Sequence, residues 1–329
     1  MLTADSFRPG LLIQNGQVQT ILASSPLRTW GKNPMLAAAR EMILETPAGV
    51  RLLGAYSPRK LNRSKGRVIL LHGWEGSVDS TYIVCTGNTL YQSGYDVFRL
   101  NFRDHGNSYH LNQGIFYAVL LDEVFQAVQQ VSRDAGNKPV FLVGFSLGGN
   151  FALRIAQKML ETPIANMCHV VAISPVLDPE QSTARVDQNP LIRRYFLNKW
   201  RRSLNIKQKL FPDIYDFSAA LRLKTVRAVT DQLLAEYSDF NSAREYFRGY
   251  SLLKDAIKHV SVATTIITAR DDPIIPVKDF YRLVLNAHTI RIIHDFGGHN
   301  GFIDGFRLKS WYEEKLANLF DEIVMTFNA

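Results

Sequence analysis

A chain of 329 residues, 46% of them hydrophobic, can bury a substantial core without disulfide or metal staples and suits one large α/β domain with an insertion. Lys and Arg number 38 against 30 Asp and Glu, and the net +8 is concentrated in residues 181–229, where eleven basic side chains, Arg193-Arg194 and Arg201-Arg202 among them, face three acidic ones. No stretch reaches the roughly 18 uncharged apolar residues of a membrane span, the start lacks a basic region followed by an apolar run, and no nucleic-acid module accompanies the basic segment. These features predict a soluble, cytoplasmic protein with no nucleic-acid partner and a solvated basic face; Cys85 and Cys168 read as buried thiols.

In chain order, residues 1–36 are broken by Pro9, Gly10, Gly16, Pro26, Gly31 and Pro34 and read as an irregular arm with one short helix. From Arg40, REMILETPAGVRLLGAYS has two apolar stretches around a Pro47–Gly49 turn, the pattern of an antiparallel hairpin. A polar linker, PRKLNRSKG, leads into strand-helix alternation. Strands are predicted at 67–71, 96–102, 139–143, 169–174, 262–268 and 289–293, and helices at about 80–92, 115–134, 147–160, 278–286 and 307–326. Near-continuous apolar strands separated by amphipathic helices indicate a mainly parallel sheet covered on both faces.

Residues 177–255 contain no parallel strand; RRYFLNKWRRSL and TVRAVTDQLLAEY read as helices. An insertion after a parallel strand borders the usual ligand crevice, so a lid or pocket wall is its expected role. Its Tyr195, Phe196, Leu197 and Trp200 either line an acyl pocket or form the insertion's own core. Its basic residues predict at most a weak, salt-sensitive association with anionic membrane.

The sharpest local pattern is KPVFLVGFSLGGNFALRIAQKM, in which a buried strand runs into Gly144-Phe145-Ser146-Leu147-Gly148 and then a helix. G-x-S-x-G in a strand-turn-helix setting places a serine on a strained turn with its hydroxyl above the sheet, and small residues on either side let strand and helix approach. Ser146 is the candidate nucleophile, and the Leu147 N–H at the helix start can face a developing oxyanion. The strand RVILL leads into His72-Gly73-Trp74-Glu75-Gly76, which makes the Trp74 backbone the second candidate donor and His72 a loop-ordering residue.

The candidate base is His299, in RIIHDFGGHNGFIDG after the final strand, with His294 as the fallback. An acid that orients it belongs after the preceding strand, where TTIITARDDPIIP offers Asp272, favoured, and Asp271, the alternative, which instead fixes the turn. The chain order Ser-Asp-His is that of α/β-hydrolases. Arg103, Asp104, His105 and His110, with Asp79 and Asp122 elsewhere, are read as salt bridges and turn contacts; no metal or cofactor is expected.

At these residues the chain resembles the bacterial YheT-like hydrolases, related to the eukaryotic ABHD proteins of the α/β-hydrolase superfamily. The resemblance runs through NGQVQTIL at 15–22, HGWEG at 72–76, GFSLGGN at 144–150, ARDDPIIP at 269–276 and GGHNGF at 297–302. It implies an α/β-hydrolase fold over residues 1–329, mainly parallel with an N-terminal antiparallel hairpin and a helical lid-like insertion at 177–255. It also implies a triad of Ser146, Asp272 and His299, and esterase or lipase-like action on a small-molecule or lipid ester. Two departures bear on the pocket: Gln17 stands where relatives commonly have histidine, and Arg103-Asp104 where they often have arginine-glycine. Acyl transfer, thioester or amide cleavage on the same triad is the alternative chemistry; a non-catalytic interaction protein would require a broken triad. Oligomeric state is not specified by these motifs.

Overall fold

The computed structural model describes residues 7–59, 64–305 and 308–327. Two short helices, α1 (Gly16–Ala23) and α2 (Pro34–Ala37), precede the hairpin β1 (Arg40–Glu45) and β2 (Arg51–Ser57). Alternation follows with β3 (Arg67–Leu71), α3 (Thr81–Gln92), β4 (Asp96–Leu100), α4 (Leu121–Arg133), β5 (Val140–Phe145), α5 (Leu147–Lys158) and β6 (Met167–Ile173). Five helices then intervene: α6 (Pro179–Gln188), α7 (Pro190–Leu210), α8 (Ser218–Arg222), α9 (Val226–Tyr237) and α10 (Ala243–Arg248). The chain closes with β7 (Thr264–Ala269), α11 (Val277–Tyr281), β8 (Thr289–His294), the small pair β9 (Ile303–Asp304) and β10 (Lys309–Ser310), and α12 (Trp311–Phe327).

The main sheet has eight strands in the order β1-β2-β4-β3-β5-β6-β7-β8. β2 pairs antiparallel with β1 and β4, and the pairings from β4 through β8 are parallel. Every residue of β3, β4 and β5 is buried, as the apolar runs RVILL and VFLVGF require of strands covered on both faces. Helix α5 is buried from Leu147 to Ala156, so the nucleophile turn is seated in the middle of the molecule.

Two helices differ from expectation because distant groups, side chains in one case and a backbone carbonyl in the other, take their backbone donors. The helix expected from 115 starts at Leu121: the Phe116 N–H donates to Asp104 Oδ2 (3.0 Å) and the Ala118 N–H to the Tyr246 hydroxyl (3.0 Å). The helix expected over 278–286 ends at Tyr281, and the Val284 N–H donates to the Lys254 carbonyl (2.8 Å). Positions 1–6, 60–63 of the polar linker and 307 of the last predicted helix lie outside the described residues.

The arm is broken as expected, with α1, the four-residue α2 and two 3-10 turns joined by coil, but it is held in place by specific contacts. Asn15 caps α1 by accepting from the Gln17 and Val18 N–H groups, and the buried Arg28 guanidinium binds Glu313 of α12 at 2.6 Å. The expected solvated basic face also needs correction. Lys207 is buried against Asp104, Arg201 donates to the Leu221 and Leu223 carbonyls, Arg193 to that of Asp187 and Lys199 to that of Glu75. These cations tie α7 to neighbouring helices and loops, while Arg194, Arg202, Lys209, Arg222 and Lys224 stay exposed. Cys85 and Cys168 are partly rather than fully buried free thiols, and burial raises the Cys85 pKa to about 11. No helix among the described residues is long and apolar enough to cross a membrane.

Candidate active site

Ser146 sits between β5 and α5 at φ 55°, a left-handed conformation that costs a non-glycine residue about 1–3 kcal/mol and persists only where packing enforces it. The enforcement is visible. A Cβ on Gly144 would lie 2.1 Å from the Gly148 carbonyl oxygen, and one on Gly148 would lie 2.3 Å from that of Leu71. Only glycine at both positions lets α5 start directly over β3 and β5. The Ser146 N–H bonds the Ile173 carbonyl at 2.9 Å, which fixes the turn to β6.

The Ser146 hydroxyl is 2.9 Å from His299 Nε2, and His299 Nδ1 is 2.8 Å from Asp272 Oδ2. The other Asp272 oxygen accepts the N–H groups of Ile274 and Ile275 at 2.7 and 2.9 Å, so the fully buried carboxylate is held from both sides. With Nδ1–H donated to Asp272, Nε2 is left to accept the serine proton. Asp271 performs a different task. Its Oδ1 accepts the Gly298 N–H (2.8 Å), bracing the histidine loop, and burial raises its pKa. His294 is excluded as base: it ends β8, packs edge-on against Trp311 and Phe7, and Nδ1 accepts the Phe7 N–H.

The arm supplies residues to which the sequence reading assigned no role. Thr20 of α1 accepts the His299 N–H at 2.9 Å while donating to the Gly16 carbonyl at 2.6 Å. Gly16 itself is pressed on Asp271, whose carbonyl oxygen would be 1.9 Å from an added Cβ. Gln19, fully buried, bonds both the N–H and the carbonyl of Ile303 beyond the histidine loop. NGQVQTIL carried the signal, but a motif shows its partner only once the chain folds back across some 280 positions. Gln17, by contrast, is exposed and does not line the cavity.

The turn after β3 lies against the nucleophile, since a Cβ on Gly73 would be 3.1 Å from that of Ser146. The Gly73 N–H donates to the Tyr82 hydroxyl (3.0 Å); among the described residues the N–H groups of Trp74 and Leu147 have no protein acceptor. His72 is a structural residue. Its Nε2 accepts the Phe102 N–H (3.2 Å), so Nδ1 carries the proton and donates to the Gly73 carbonyl (2.7 Å); burial holds its pKa well below the usual histidine range. His105 binds likewise, Nε2 accepting the Glu75 N–H and Nδ1 donating to the Arg103 carbonyl, with its pKa lowered by burial to about 4.

Ser146 and His299 open into a cavity of about 160 Å³ walled by Trp74, Phe116, Phe196, Trp200 and Leu147. Phe196 stacks on Trp74 at 5.2 Å and Trp200 meets it edge-on at 5.0 Å; Leu197 turns into the core and Tyr195 is exposed. Asp104, at φ 55°, also lines this space and pairs with Lys207 at 2.8 Å. Arg103 pairs with Glu123, Asp79 with Arg99 and Asp122 with Lys158; the described residues contain no group of three or more metal-ligating side chains.

A hydroxyl, an imidazole and a buried carboxylate in relay at the carboxyl edge of a mostly parallel sheet make this a serine hydrolase of the α/β-hydrolase superfamily. More narrowly, residues 62–299 match the family described as serine aminopeptidase, S33, and the chain belongs to that family. It is similar to the putative esterase YheT of Escherichia coli, 25% identical over 286 residues covering 83% of this chain and 82% of that one. A medium-chain fatty acid ethyl ester synthase/esterase of Saccharomyces cerevisiae is 22% identical over 78% of this chain and 63% of its own. Among solved structures, an esterase of Pyrococcus furiosus shares the fold with TM-score 0.55 and 18% identity, covering 86% of this chain and 92% of that one.

Proposed function

We propose that the protein is a carboxylic ester hydrolase of the YheT-like branch, acting on a small-molecule or lipid ester through an acyl-enzyme. The observation that carries this reading is that the triad opens directly into an aromatic cavity, a setting for an apolar acyl group. The Ser146 oxygen attacks the acyl carbonyl as His299 Nε2 takes its proton, and the imidazolium then protonates the departing alkoxide. Water deprotonated by the same nitrogen cleaves the acyl-enzyme and restores the serine.

In this reading the Trp74 and Leu147 N–H groups stabilise the oxyanion. Their lack of protein acceptors, the seat of Leu147 at the α5 N-terminus and the closeness of Gly73 to Ser146 support it; loss of one such donor costs about 3 kcal/mol in comparable sites. Helices α6 to α10 act as the wall that selects the acyl group, supported by Phe196 and Trp200 in the lining.

The test is reaction with a fluorophosphonate probe together with an ester panel varied in acyl length. Labelling at Ser146 and ester turnover, both abolished in Ser146→Ala, is the expected result. Native protein that is labelled but cleaves only amides or thioesters, or turns over only when an alcohol acceptor is added, would replace ester hydrolysis with the corresponding acyl-transfer chemistry.

A further inference from the structure

We propose that Glu75 is a specificity-determining residue that hydrogen-bonds a neutral hydroxyl on the substrate, within the cavity that holds Ser146. The inference rests on the ester-hydrolase reading above and adds the chemical class of the ester. Glu75 directly follows Trp74 and lines the same cavity as Ser146 and His299. Its backbone is held at φ 55°, in the left-handed region that a glutamate adopts only where its surroundings compel it.

Three contacts compel it. The N–H donates to His105 Nε2 (3.2 Å), the carbonyl accepts Lys199 Nζ of α7 (3.1 Å), and Oε2 accepts the Ser203 hydroxyl of α7 (2.7 Å). Ser203 is in turn 2.8 Å from the Tyr109 hydroxyl, so carboxylate, serine and phenol form a polar line across an aromatic wall. The second oxygen, Oε1, has no hydrogen bond among the described residues. Glu75 is partly rather than fully buried, so its unpaired oxygen stays open to a ligand group in an otherwise aromatic wall.

The local charges indicate a neutral partner. Asp104 is neutralised by Lys207 at 2.8 Å, and Lys199 lies on the Glu75 carbonyl, so Glu75 has no excess negative field to hold an ammonium group. Burial also raises its pKa to about 7, which lets it act as hydrogen-bond donor or acceptor near neutrality. A hydroxyl can engage either form.

The experiment compares three ester series: unsubstituted, hydroxylated on the acyl chain, and hydroxylated on the alcohol, with an amino-substituted twin of each. For each protein the readout is the ratio of kcat/KM for the hydroxylated ester to that for its unsubstituted twin, which is independent of the fraction of active enzyme. The expected result is that one hydroxylated series is preferred by wild type, that Glu75→Ala lowers this ratio about tenfold or more, and that Glu75→Gln retains most of it. Equal losses on both twins in Glu75→Ala, no hydroxyl preference in wild type, or a stronger preference for the amino twin would overturn the proposal. The same ligands are titrated onto Ser146→Ala, with and without Glu75→Ala. Glu75-dependent preference in binding without ester turnover by wild type sinks the ester reading alone; turnover without that preference sinks the role of Glu75 alone.

Discussion

At the scale of single residues, the division of labour between Asp271 and Asp272 has direct kinetic consequences. Asp272 gives one oxygen to two backbone N–H groups and the other to His299, so its orientation is set before substrate arrives. Asp272→Asn keeps the shape but can present an amide N–H to the imidazole, stabilising the tautomer whose Nε2 already carries a proton. A loss of about 10⁴-fold is expected from that inversion. Asp271→Asn retains an acceptor for the Gly298 N–H and should lose less than about tenfold, the scale of one weakened hydrogen bond. The rate of fluorophosphonate labelling at Ser146 measures both without reference to a chosen ester. Comparable losses in the two variants would contradict the assignment.

Between elements, the most consequential tie is that of α7 to the loop after β4. Lys207 Nζ reaches Asp104 Oδ1 at 2.8 Å and also donates to the Asn112 carbonyl at 2.6 Å; the lysine side chain is only 2% exposed. Asp104 uses its other oxygen to hold the Phe116 N–H, so one ion pair orders both the cavity wall and the segment that delays α4. Removing one member of a buried pair leaves the other charge uncompensated, at a cost of about 3–5 kcal/mol. Lys207→Ala should therefore lower unfolding stability in urea by that order, and Asp104→Asn combined with Lys207→Met should recover most of it. A single variant as stable as wild type would show that this pair does not anchor α7.

Over the whole molecule, a set of buried neutral histidines sets part of the acid limit of stability. His169 in β6, bonded to Thr265 of β7 at 2.8 Å, has its pKa lowered by burial from 6.5 to about 4, and His105 and His294 are lowered to about 4 by the same cause. For a histidine with a depressed folded pKa, the unfolded chain binds the proton first. The stabilisation is therefore whole above about 6.5 and is lost as pH falls towards 4. A shift of this size corresponds to about 3 kcal/mol for His169. Wild type should lose stability relative to His169→Gln as pH falls from 7.5 to 4.5, measured by urea unfolding at each pH. A difference between the two proteins that does not change with pH would refute this. Carboxyls whose pKa is raised, such as Glu75, act in the opposite sense, which is why a matched variant rather than the wild-type profile isolates the histidine.

The nucleophile turn and the parallel strands were readable from the sequence because their causes are local. Gly144, Ser146 and Gly148 meet within a few residues of one another, and RVILL or VFLVG can be satisfied only by burial on both faces. His299 was readable for a related reason: a glycine-rich loop after the last strand is the place from which an imidazole can return to the serine. Asp271 and Asp272 are chemically identical neighbours, and the folded turn separates them: the Ile274 and Ile275 N–H groups turn Asp272 to the imidazole, while Asp271, with Gly16 of α1 pressed on it, braces the histidine loop. The start of α4, the use of the basic side chains in α7 and the place of Glu75 beside Ser146 likewise follow from partners tens to hundreds of residues away. Short-range sterics and hydrophobic pattern therefore specified the reacting serine, whereas the surroundings that orient its triad and shape its cavity arise from long-range contacts that exist only after the chain has closed.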